Sequence, residues 1–108
     1  MSTMTKQRLD NFRHIRAAVA ELTARMDDAD AENAASVRAQ LDAQREKMLG
    51  EYDAILCFLF QIDDLHIRRI IELRFLDGRE WSEIAAILGG GTRTGVYNAF
   101  KRYIDKAQ

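Results

Sequence analysis

The sequence predicts an all-α protein, and three observations carry that prediction. None of the 108 residues is proline, no alternating apolar and polar stretch reaches useful strand length, and the helix formers Ala, Glu, Arg, Leu and Gln dominate the first half. With 47% hydrophobic and 31% charged residues, the chain has ordinary globular composition. Its length suits one domain, or a small domain with an appendage.

The first helix is expected from about Lys6 to Met26. Leu9, Phe12, Ile15, Val19, Leu22 and Met26 recur there at spacings of three and four, which places them on one stripe. Asp27-Asp28-Ala29-Asp30 should end it, because carboxylates at a helix C-terminus oppose the dipole and short polar side chains compete for the backbone. A second helix should restart near Glu32 to Ser36. It carries a seam of Leu41, Met48, Ile55 and Ile62, seven apart, interleaved with Arg45, Tyr52 and Leu59. That alternation is coiled-coil-like, so residues 1–62 are expected to form an antiparallel helical hairpin. The stripes can cover each other within one chain or serve dimerisation. From Ala54 onward the helix is apolar on most sides, so its last turns should be covered by the C-terminal segment or by a partner. Cys57 lies in the run Ile55-Leu56-Cys57-Phe58-Leu59-Phe60 and is expected to be a small buried hydrophobe. A lone cysteine leaves no disulfide framework within the chain.

Residues 63–108 are expected to hold three more helices. Asp63-Asp64 suits the N-cap of the first, whose Leu65, Ile67, Ile70, Ile71, Leu73, Phe75 and Leu76 give it apolar surface on two sides. Asp77-Gly78 should close it, with glycine in the left-handed conformation. Trp81-Ser82-Glu83-Ile84-Ala85-Ala86-Ile87-Leu88 then forms a short helix, Gly89-Gly90-Gly91 a turn, and Thr92 the N-cap of a last helix. This is helix-turn-helix spacing. Ala85 is the small residue such a motif needs where the helices cross, Ile84 and Leu88 flank it, and Trp81 anchors it one turn earlier. Val96, Ala99, Phe100, Tyr103 and Ile104 make the inward stripe of the last helix.

The outward residues of that helix point to DNA. Arg93, Thr94, Tyr97 and Asn98 occupy its N-terminal turns, where a recognition helix meets base edges; Arg can take guanine and Asn adenine through paired hydrogen bonds. Lys101, Arg102 and the loop residue Arg79 suit phosphates. Charge is distributed accordingly. Residues 1–62 carry 8 Lys/Arg against 10 Asp/Glu, whereas residues 89–108 carry Arg93, Lys101, Arg102 and Lys106 against Asp105 alone. The net charge of −1 argues against a non-specific polyanion binder.

Residues Ile70 to Ala107 carry a resemblance. Ile71-Glu72-Leu73-Arg74-Phe75-Leu76-Asp77-Gly78 followed by Trp81-Ser82-Glu83-Ile84-Ala85 resembles region 4 of the sigma-70 factors, the module that reads the −35 promoter element. The layout of a helical hairpin ahead of that module is similar to sigma-like regulators of phages and prophages, including the ArpU-like and RinA-like activators. The resemblance implies a transcriptional regulator with double-stranded DNA and RNA polymerase as candidate partners. It puts Arg93, Thr94, Tyr97 and Asn98 at DNA-facing positions and Val96 and Ala99 at buried ones. Gly95 falls where family members often carry a basic or polar side chain, and the turn is one glycine longer than usual.

Two other readings use the same features: a DNA-packaging component of the phage small-terminase type, and a helical interaction protein without DNA contact. Catalysis is not expected. His14 and His66 stand apart, and HExxH, GxSxG and P-loop patterns are absent. No cofactor or metal is expected. A homo-oligomer is, because a forty-residue module makes a marginal core alone. Without a signal-peptide pattern or an apolar run of membrane-spanning length, the expected setting is cytoplasmic, with no membrane partner.

Overall fold

The chain builds five helices, with no strand among the described residues, in a computed structural model that describes residues 4–107. Helix α1 (Lys6–Asp28) starts at Thr5, whose hydroxyl accepts a hydrogen bond from the Arg8 amide at 3.1 Å. It runs two residues past the expected Met26. Only Ala29 and Asp30 separate it from α2 (Ala31–Phe60), and the Asp30 carboxylate caps that helix by accepting from the Asn33 amide at 2.9 Å. So short a link reverses the chain: Arg8 near the start of α1 pairs with Glu51 in the second half of α2 at 2.9 Å, while Met26 shares a cleft with Ala34 and Ala35.

The apolar stripes meet within the chain. Leu9, Phe12 and Leu22 of α1 and Leu41, Ile55 and Leu59 of α2 are buried, with Ile62 just beyond, and Met48 packs half-buried against them. The seam is incomplete, however. Tyr52 is 39% exposed, with its ring 6.2 Å from Phe12, and Arg45 is exposed. Cys57 corrects the sequence expectation: it is exposed, not buried. Two residues beyond the buried Ile55, it is rotated about 200° around the helix, away from α1.

Helix α3 (Leu65–Ile71) is capped by Asp64, whose carboxylate accepts from the amides of His66 and Ile67. It passes into a π-helical turn, Glu72–Leu76, in which the Asp77 amide reaches back to the Glu72 carbonyl at 2.9 Å. The wider turn departs from the single regular helix expected. Its last carbonyls have a partner on another helix: the Arg16 guanidinium of α1 donates to the Phe75 and Leu76 oxygens. Gly78 then takes φ +74°, and the Arg79 amide closes back on the Leu73 carbonyl at 2.9 Å. Ile67, Ile70, Ile71, Leu73 and Phe75 are buried, but Leu65 is 70% exposed at the first helical position.

Helix α4 (Trp81–Ile87) begins in a capping box, in which the Glu80 amide donates to the Glu83 carboxylate at 3.0 Å. Gly89 (φ +83°) and Gly90 (φ +137°) make the bend to α5 (Arg93–Lys106). These values lie where side chains other than glycine are strained, so the sharp turn depends on residue type. The extended core takes Met4, Leu9 and Phe12 from the N-terminal segment, Ile55, Leu59 and Ile62 from the end of α2, and buried residues of every later helix. The C-terminal helices therefore rest on the N-terminal ones. No helix among the described residues is long and apolar enough to cross a membrane.

Candidate nucleic-acid interface

Helix α5 has one dry side and one wet side. Val96, Phe100 and Ile104 are buried against the core, while Ala99 and Tyr103 lie half-buried beside them. Phe100 stands at the centre of an aromatic cluster, 5.4 Å from Phe75, 5.5 Å from Trp81 and 6.5 Å from Tyr97 between ring centroids. Across from it α4 contributes buried Ile84 and Ala85.

The wet side collects most of the expected contact residues. Arg93, Thr94, Asn98, Lys101 and Arg102 are all exposed. Thr94, Asn98 and Lys101 follow at spacings of four and three, so they form one line along the helix. Tyr97 differs from the others. Its ring stands edge-on to Trp81 at 5.3 Å and is half-buried, so packing fixes its position. Arg79 lies in the loop ahead of α4, exposed, with Glu83 at 3.5 Å.

Ion pairing divides the cations. Lys101 pairs with Asp105 at 3.0 Å, one turn along the same helix. Among the described residues Arg93 and Arg102 enter no ion pair, so their charges are open to a ligand. Exposed pairs such as Lys101–Asp105 are worth at most about 0.5 kcal/mol, too little to hold the ammonium from a phosphate. The first turn of α5 is fixed by Thr92, whose hydroxyl accepts from the Gly95 amide at 3.0 Å. A Cβ at Gly95 would lie 3.0 Å from that same hydroxyl oxygen. Glycine at this helical position thus relieves the cap of crowding, although it costs about 1 kcal/mol of helix propensity relative to alanine.

Two arginines outside the expected set hold this arrangement in place. Arg74 lies 4.8 Å over the Trp81 ring, donates to the Arg79 carbonyl at 3.1 Å and pairs with Glu80 at 3.6 Å. Burial, with Arg13 nearby, lowers its pKa from the usual arginine value. It thereby joins the end of the π-helical turn to the start of α4. Arg16 joins the same turn to α1. Neither role is legible as a motif: Arg16 reaches carbonyls 59 and 60 residues away, and Arg74 meets its carbonyl, carboxylate and ring partners across the Gly78 bend rather than at a helical spacing. Glu83, three residues after the N-cap, is by contrast the one half of a capping signal visible in the sequence, Glu80 standing where Ser or Thr is usual. Near the same cluster, Lys6 pairs with Asp10 at 3.0 Å, which raises its pKa.

Among the described residues no three His, Cys, Asp or Glu side chains come together in a way that would hold a metal ion. In comparisons with known proteins, no family model, curated protein or solved structure matches the chain.

Proposed function

We propose that this chain is a sequence-specific DNA-binding transcriptional regulator that presents α5 to the major groove, with α4, the glycine turn and α5 acting as a helix-turn-helix. The observation that carries the reading is the division of α5: Val96, Phe100 and Ile104 buried, Arg93, Thr94, Asn98, Lys101 and Arg102 exposed. Fourteen residues give this helix a length of about 21 Å. The major groove, about 12 Å wide, admits such a rod.

Roles follow from chemistry and position. Arg93, Thr94 and Asn98 read base edges from the first two turns; Tyr97, held by Trp81, adds an apolar or hydroxyl contact at their border. Lys101, Arg102 and Arg79 neutralise phosphates and set the register. Helices α1 and α2 form the hairpin that supports this module. The resemblance to sigma region 4 favours a phage or prophage regulator and makes RNA polymerase the candidate protein partner.

The test is selection of bound sequences from a random duplex pool, followed by anisotropy titrations at several salt concentrations. Affinity should fall steeply with salt, because phosphate contacts release counterions. Arg93→Ala should weaken binding to the selected site by roughly 5- to 150-fold, the loss of one bidentate base contact of about 1–3 kcal/mol. Lys101→Ala should lower the salt slope by about one. Both residues are exposed, so helicity should be unchanged. Unaltered titrations in both variants would remove the DNA role from this face and favour the interaction-protein reading.

A further inference from the structure

Helix α2 carries an apolar stripe beside the buried line of Leu41, Ile55 and Leu59, rotated from it by about a quarter turn, which its own chain covers only in part. Leu49 is 61% exposed, Phe60 80% and Tyr52 39%, with Leu56 half-buried between them and Arg45 and Asp53 exposed on the same side. Arg45, Leu49, Tyr52, Leu56 and Phe60 recur at spacings of three and four, the period of a helix-pairing seam. Among the described residues neither Arg45 nor Asp53 has an ion-pair partner.

We propose that this stripe is the contact for a second copy of the chain, with the two α2 helices packed antiparallel about a two-fold axis between Tyr52 and Asp53. The argument is self-complementarity. An axis at that point sets Leu49 of each copy against Leu56 of the other. Phe60 meets Arg45, whose stem and guanidinium can cover an aromatic face, and the Tyr52 hydroxyl meets the Asp53 carboxylate. Each apolar or charged group on the stripe thus finds a complementary one in an identical copy. A parallel pairing would instead set Arg45 against Arg45 and Asp53 against Asp53, and like charges opposed at a seam disfavour it. The proposal concerns α2 alone and does not rest on DNA binding by α5.

Sedimentation equilibrium of the full chain, run from about 1 to about 300 μM without DNA, tests it. The mass should rise with concentration from 12.4 kDa towards twice that value. Leu49→Glu and Phe60→Glu should each remain monomeric across the range with unchanged helicity, since both positions are solvent-facing in the single chain. Cross-linking tests the direction. Asp53→Cys in a Cys57→Ser background should form a disulfide-linked dimer on mild oxidation, because position 53 lies next to the axis. Native Cys57 should not cross-link, since the antiparallel arrangement holds its two copies about 13 Å apart along the helices. A monomeric mass at every concentration, dimers that survive both glutamate substitutions, or efficient cross-linking through Cys57 would overturn the proposal.

Discussion

Removing the Arg16 guanidinium should loosen the whole molecule, although the residue lies on α1 and touches no side chain of α4 or α5 by hydrogen bond. Its Nη1 donates to the carbonyls of Phe75 and Leu76, at the end of the π-helical turn that leads into α4. A hydrogen bond to a charged group contributes about 1.5–3 kcal/mol when buried. This site is half-exposed, so water replaces part of the interaction, and Arg16→Ala should cost about 1–2 kcal/mol in total. For a chain of this size that corresponds to a drop of roughly 4–10 °C in Tm. Arg16→Lys keeps the charge but has a shorter reach to the two carbonyls, and should fall between parent and alanine variant. Urea unfolding followed by far-ultraviolet circular dichroism and by fluorescence of the single tryptophan, Trp81, is the assay. The two probes should give coincident transitions, because one core joins α1 and α2 to the helices around Trp81. A change below about 0.5 kcal/mol, or a Trp81 transition separate from the loss of helix signal, would refute the reasoning.

Two further outcomes follow from local geometry. Thr92→Ala removes the side-chain acceptor for the Gly95 amide and should cost about 1 kcal/mol, seen as a lower Tm, whereas Thr92→Ser should restore it. The Arg8–Glu51 pair, which ties α1 to α2, makes stability depend on acid: its hydrogen bond lowers the Glu51 pKa below the ordinary carboxylate value. A group depressed in the folded state contributes stability above its unfolded pKa of about 4.3 and loses it as pH falls through the folded value. Glu51→Gln should therefore lose less stability than the parent between about pH 5 and pH 3 in urea titrations, by under about 1 kcal/mol because the pair is partly exposed. An identical acid loss in both proteins would contradict this.

The helical class, the caps at Asp64 and Thr92, the break at Gly78 and the inward stripes of α1 and α5 were all legible in the sequence. Each is a local property: a side chain reaching its own backbone, a glycine at positive φ, or apolar residues repeating with the helical period. The exposed line of Arg93, Thr94, Asn98, Lys101 and Arg102 follows by elimination once that stripe is turned inward. Periodicity alone could not say which of several apolar faces finds a partner. Tertiary packing put Ile55 inside and Cys57, Leu49 and Phe60 outside on one continuously apolar helix, since α1 covers only one side of α2. It also turned Tyr97 partly inward onto Trp81 and gave Arg16 and Arg74 their carbonyl and ring partners. Arg16 joins segments far apart in sequence, and Arg74 meets its ring only across the non-helical bend at Gly78, so these interactions exist only once the chain has brought the segments together.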